Sequence, residues 1–139
     1  MYEISVEVSF DSAHRLFDYI GKCNSGHGHS YYAIVGFSSA KLIGAGFVID
    51  FGIVKEFLKG WINSSWDHAM LLTDKDPLKD ITELGHTYIM PEGLEPTAEN
   101  MCKVLFDVMK NAFADDRVRV DFVSIKETAT TIATYRENK

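Results

Sequence analysis

Tyr2-Glu3-Ile4-Ser5-Val6-Glu7-Val8-Ser9-Phe10 alternates apolar and polar side chains without a break, the mark of a strand with one buried face. Carrying the pleat on through Asp11-Ser12-Ala13-His14 brings Ser12 and His14 out on the apolar side, so His14 is expected to point inward at the strand's end. Residues 15–26 read as a loop with Gly21 and Gly26 as breakers. A second strand follows from His29 to about Ser38, close enough to pair with the first as a hairpin. A Gly-rich turn through Gly44 and Gly46 then leads to Asp50, a plausible helix N-cap.

Beyond Asp50, Ile53, Val54, Phe57, Leu58, Trp61 and Ile62 recur at helical spacing, and the helix ends near Asn63-Ser64-Ser65. Pro77 opens a short helix through about Leu84, and Thr87 to Met90 read as extended. Pro96-Thr97 introduces a second main helix with Thr97 as N-cap and Glu99 near the positive end of its dipole. Its expected buried stripe is Met101, Val104, Leu105, Val108, Met109 and Ala112. Two strands finish the chain, roughly Val118 to Glu127 and Thr131 to Arg136. This is an α+β plan, an antiparallel four-stranded sheet with two main helices packed on one face.

The 139 residues suit one domain spanning 1–139, with no repeat, linker or low-complexity tract to divide it. Hydrophobic residues make up 46% and charged residues 24%, too apolar a mixture for disorder. The net charge of -6 argues against nucleic acid as a partner, because phosphate binding needs clustered Lys and Arg. No stretch approaches a membrane span and the N-terminus lacks the pattern of an export signal, so a cytoplasmic protein is expected. In that reducing setting Cys23 and Cys102 are read as free thiols. Cys102, beside Met101 on the second helix, reads as core packing.

The chemistry gathers around three histidines. His27 and His29 stand at i and i+2, a spacing that projects both imidazoles from one face of a strand. The hairpin brings His14 to join them. Three neutral imidazoles fill three corners of a zinc tetrahedron and leave the fourth open, so Zn2+ is the expected cofactor. Cys23, four residues before His27, has two readings: a fourth ligand that closes the shell, or a base and nucleophile beside the metal. Asp67-His68 is either a turn cap with an idle histidine or a second acid/base pair, in which the carboxylate fixes the imidazole's tautomer. Glu127, at a strand end, either grips an amino-pyrimidinone edge through two parallel hydrogen bonds or is a solvated terminus paired with Lys126.

Five motifs occur in order: Phe10-x-Ser12-Ala13-His14, Cys23-x-x-x-His27-Gly28-His29, Asp67-His68, Pro96-Thr97-x-Glu99-Asn100 and Lys126-Glu127-Thr128. Together they resemble the 6-pyruvoyltetrahydropterin synthase superfamily over nearly the whole chain. The spacing from Cys23 to His27 resembles the bacterial 6-carboxy-5,6,7,8-tetrahydropterin synthase branch, which serves queuosine biosynthesis. Branches with a Glu shortly before His-Gly-His have no match in Asn24-Ser25-Gly26. The chain also departs from compact members in a longer segment between Thr73 and Glu95, and in Trp66 before Asp-His.

The resemblance implies zinc on His14, His27 and His29, Cys23 as thiolate base with Asp67-His68 as its relay, and Glu127 and Thr97 as substrate contacts. It implies a lyase acting on 7,8-dihydroneopterin triphosphate, giving 6-carboxy-5,6,7,8-tetrahydropterin, triphosphate and acetaldehyde. Alternatives are triphosphate elimination without carbon–carbon cleavage, as in a 6-pyruvoyltetrahydropterin synthase, and a zinc-stabilised pterin-binding module without turnover. The implied fold is the tunnelling type, whose sheets close into a barrel in a homohexamer built as a dimer of trimers. Arg15, Lys22 and Arg136 are the expected triphosphate contacts.

Overall fold

The structure, a computed structural model, describes residues 1–138. Its frame is the hairpin of β1 (Tyr2–His14) and β2 (His27–Ser39), antiparallel from Tyr2 opposite Ser39 to His14 opposite His27. β2 pairs antiparallel with β5 (Arg119–Thr128), and β5 with β6 (Thr131–Tyr135). These are the four expected strands. The sheet is nevertheless six-stranded and mixed, in the order β4-β3-β1-β2-β5-β6, because β3 (Met70–Leu72) joins the free edge of β1 in parallel and β4 (Thr87–Ile89) joins β3 in parallel. β4 lies where Thr87 to Met90 read as extended, but strands of three residues carry too little alternation to place them in a sheet. Their structure comes from pairing, which starts where His68 N–H donates to Asp11 O (2.7 Å) and Ala13 N–H to Ala69 O (3.0 Å).

Helix α1 (Phe51–Ser65) begins at Asp50, whose carboxylate accepts from Gly52 N–H. Helix α2 (Ala98–Phe113) begins at Thr97, whose hydroxyl accepts from Asn100 N–H at 3.1 Å. Both bury a stripe against the sheet face carrying Val6, Val8, Phe10, Tyr31, Ala33, Val35 and Phe37. In α1 the buried residues are Val54, Leu58 and Ile62, while Ile53 and Phe57 are exposed, which narrows the expected stripe. In α2 they are Met101, Cys102, Leu105, Phe106 and Met109. Val104 and Val108 are half-buried and Ala112 is exposed. The stripe rotates because α2 also covers β6: Cys102 Sγ–H donates to Ala133 O (3.2 Å) and Phe106 packs edge-on to Tyr135. Cys102 is therefore a core residue, its thiol pushed up to about 12 chiefly by burial.

The helix expected over 77–84 is instead two 3-10 turns, Pro77–Asp80 and Thr82–Leu84, parted by the extended backbone of Ile81. No residue of either turn is buried, so no apolar face existed to pay for a longer helix. Among the described residues no helix is long and apolar enough to cross a membrane.

Candidate active site

The hairpin register sets His29 opposite Ser12 and His14 opposite His27, all with side chains on the core face. The ligand-capable atoms of His14, His27 and His29 lie within 4.8 Å of one another. His14 Nδ1–H donates to Pro96 O (2.8 Å) and His27 Nδ1–H to Ser25 O (2.7 Å). A carbonyl only accepts, so these bonds assign the proton of each neutral ring to Nδ1 and leave a lone pair on Nε2. The two Nε2 atoms stand 3.0 Å apart.

A proton between them would require an imidazolium, and the surroundings oppose it. Burial, reinforced by the neighbouring His27 and His29, lowers His14 to about 4 despite the opposing bond to Pro96. Burial also lowers His29, with Glu127 partly offsetting it. Converging imidazoles of this kind fit a divalent cation, and an all-imidazole set with two rings oriented by backbone carbonyls suits zinc.

Glu127 extends the cluster. β5 delivers its Oε1 to 3.4 Å from His14 Nε2 and 3.8 Å from His29 Nε2. Glu127 also lines a small hollow with Ala98, Glu99, Thr131, Ile132 and Ala133, where the start of α2 meets the β5–β6 turn. It is therefore no solvated terminus paired with Lys126, whose ammonium lies over the Tyr32 ring. Tyr31 underlies the trio with its hydroxyl 3.3 Å from His14 Nδ1, and burial pushes this phenol far up, so it stays protonated.

Cys23 sits half-buried in a 3-10 turn, Lys22–Asn24, in the loop between β1 and β2. Its sulfur is not part of the cluster of three imidazoles. Asp67 and His68 lie beside Asp11, an outward position of β1. Asp67 Oδ1 accepts from Asp11 N–H (3.1 Å) and its Oδ2 accepts from His68 Nδ1–H (2.8 Å), which raises the imidazole's pKa. His68 has a left-handed backbone (φ 55) and is 79% exposed. It borders an open hollow of about 610 Å³ whose lining takes in Asp11, Ala13, Gly28 and Ser30, the outward positions of β1 and β2, together with Ser12 and His29. Within one chain His68 thus opens toward the outward positions of the hairpin, a hollow that His29 reaches and that His14 and His27 do not border.

Thr97 is occupied as the cap of α2. Arg15 is committed to the buried carboxylate of Asp76, with Nε donating to Oδ2 at 2.7 Å and Nη2 to Oδ1. Arg136 stacks on Phe122 at the far end of the β5–β6 ribbon and borders a different hollow with Arg119 and Glu3. Within this chain Arg15 is thus engaged by Asp76 and Arg136 borders a hollow that none of the trio lines, while Lys22 is exposed next to Cys23. Two contributors escaped the sequence. The Pro96 carbonyl is a backbone atom with no residue-type signature, and Glu99, read as a dipole partner and a motif residue but given no role in the site, also borders the hollow beside Glu127.

Fold and site together define a small α+β domain whose hairpin brings three imidazoles, a set able to hold a metal ion, beside an acidic hollow. Comparison with known proteins agrees. The model of the 6-pyruvoyl tetrahydropterin synthase family matches residues 3–138. The chain belongs to that family. The 6-carboxy-5,6,7,8-tetrahydropterin synthase of Aquifex aeolicus is 33% identical over 160 aligned positions, covering 98% of each chain. The enzyme of the same name from Rickettsia conorii is 30% identical over 131 positions, covering 92% of this chain and 95% of the relative. Among solved structures, an uncharacterized protein from Wolinella succinogenes superposes with a TM-score of 0.84 at 22% identity, covering 99% of this chain and 98% of that one. The 6-pyruvoyl tetrahydropterin synthase of Caenorhabditis elegans gives 0.72 at 25% identity, covering 99% and 96%.

Proposed function

We propose that the chain is a zinc-dependent lyase that converts 7,8-dihydroneopterin triphosphate and one water to 6-carboxy-5,6,7,8-tetrahydropterin, triphosphate and acetaldehyde. The observation that carries the proposal is the convergence of the His14 and His27 Nε2 lone pairs, with His29 and Glu127 beside them. Relatives named 6-carboxy-5,6,7,8-tetrahydropterin synthase favour the carboxy product over the pyruvoyl one.

His14, His27 and His29 would hold zinc, which supplies a Lewis acid able to polarise the hydroxyls of the substrate's side chain. The Glu127 carboxylate accepts two N–H bonds from the pterin's amino-pyrimidinone edge, fixing the ring. The Cys23 thiolate carries the proton at the side-chain carbon. His68, oriented and held basic by Asp67, exchanges a proton with a side-chain oxygen. Because His68 opens onto a hollow that His14 and His27 of its own chain do not border, this division of labour calls for a second copy, so the active form is an oligomer with sites at subunit boundaries. A hexamer arranged as a dimer of trimers would also cover the sheet edges at β4 and β6.

The test is product analysis after incubating the zinc-loaded protein with 7,8-dihydroneopterin triphosphate. The carboxy reaction yields acetaldehyde and a pterin shorter by two carbons; elimination of triphosphate without acetaldehyde would make the protein a pyruvoyl-type enzyme. Cys23→Ala separates catalysis from a binding module. Metal retained with turnover lost by about a hundredfold or more fits a base. Metal released would mean that sulfur closes the coordination shell.

A further inference from the structure

The segment between Thr73 and Glu95 grips the loop that holds Cys23 at two points. Arg15, at the start of that loop, reaches the buried Asp76. At the segment's other end the half-buried Glu95 takes both backbone amides at the loop's first bend, Phe17 N–H on Oε2 (3.0 Å) and Asp18 N–H on Oε1 (3.1 Å). Inside the loop, Asn24 Nδ2 donates to Leu16 O (3.3 Å) and Phe17 O (2.9 Å), and Leu16 N–H donates to Cys23 O (2.8 Å). The bend gripped by Glu95 is thereby tied directly to Cys23.

Glu95 itself is held on its backbone, its carbonyl accepting from Thr97 N–H and Asn100 Nδ2, each at 2.9 Å. The next residue, Pro96, is the one whose carbonyl orients His14. We infer that Glu95 is a positioning residue: its carboxylate clamps the Phe17–Asp18 backbone and so fixes the Cys23 loop to the segment that orients His14. The physical reason is that a loop with breakers at Gly21 and Gly26 has many conformations, and a carboxylate taking two adjacent amides selects one of them. Cys23 would act only when set within reach of the reacting carbon, where small displacements are costly. This inference rests on the catalytic reading of Cys23 given above.

The experiment compares wild type, Glu95→Gln and Glu95→Ala as full-length, metal-loaded protein. Three quantities are followed: amide hydrogen exchange at Phe17 and Asp18, alkylation of Cys23 by iodoacetamide with buried Cys102 as internal reference, and kcat and KM. Glu95→Ala is expected to speed exchange at both amides and Cys23 alkylation about threefold or more, leaving Cys102 and metal stoichiometry unchanged. It is expected to lower kcat about tenfold with KM within about twofold. Glu95→Gln falls between, since its one carbonyl oxygen replaces a two-oxygen acceptor. Should Glu95→Ala fail to fold, Asn24→Ala frees the same loop from its other side and must move the same Cys23 signal. Unchanged exchange and alkylation, or metal lost in step with them, overturns the inference, as does a wild-type kcat. Exchange and alkylation need no substrate, so absence of pterin turnover in the wild type would strike the functional reading and leave the clamp measurable.

Discussion

His14 Nε2 stands 3.0 Å from His27 Nε2, and each ring's other nitrogen is already committed to a backbone carbonyl. Two lone pairs at that distance repel unless a cation lies between them or one ring is protonated, and burial works against the proton. Metal content by elemental analysis is therefore expected to be one zinc per chain, and His14→Ala is expected to remove nearly all of it. Chelation of the wild type should lower Tm, because a ligand bound only by the native state adds its binding free energy to folding. Zinc retained by His14→Ala would refute the shared site.

The same burial sets a pH dependence in the metal-free protein. His14 is lowered from 6.5 to about 4 in the folded chain, so between those values the unfolded state binds the proton that the native state refuses. The contribution to stability is complete above pH 6.5 and is lost as pH falls toward 4. It amounts to about 3 kcal/mol. His29 is shifted in the same direction. Urea unfolding of the chelated protein across this window should show the loss, and His14→Asn should flatten most of it; a wild-type profile without slope there would count against the buried neutral imidazole.

Arg15→Ala tests whether that arginine is structural. Asp76 is fully buried, and burial alone pushes its carboxyl up; the Arg15 guanidinium and the Leu78 N–H outweigh this and hold it below the usual range. Removing the guanidinium strands the charge, at a cost of about 3 kcal/mol or more. Thermal unfolding should register that loss. Pairing Arg15→Ala with Asp76→Asn should recover part of it, since no buried charge then remains unpaired. KM for the triphosphate substrate should hardly move in the folded fraction, whereas a large rise in KM with normal stability would restore Arg15 as a phosphate contact.

Much of this architecture was legible in residue types and spacing. The alternation from Tyr2 to Phe10 defines β1 and turns His14 inward, and Asp50 and Thr97 cap the helices that they introduce. The side chains nominated as zinc ligands lie together because strand periodicity and hairpin register are both properties of local sequence. What escaped depends on distant partners. Met70-Leu71-Leu72 becomes a strand only because β1 offers a free edge, and Ile53 and Phe57 are exposed because α1 turns Val54, Leu58 and Ile62 to the core instead. Asp76 looks like any turn aspartate until Arg15, 61 residues away, is seen to bury it. The sidedness of Asp67-His68 follows from pairing along Asp11, which no motif encodes.

That sidedness yields the sharpest prediction. His68 borders the hollow over Asp11 and Ser30, which His29 also reaches, whereas His14 and His27 lie on the core face and border no part of it. If catalysis needs Cys23 beside the trio and His68 together, they must come from different chains. Cys23→Ala and His68→Ala homo-oligomers should each lose about a hundredfold or more in kcat. Co-refolding them in equal amounts produces boundaries at which the chain supplying Cys23 and the chain supplying His68 are each intact half the time. About a quarter of wild-type activity should then return, the statistical share for a site contributed by two chains in a symmetric assembly. Were both groups drawn from one chain, every site would carry one lesion or the other and mixing would restore nothing.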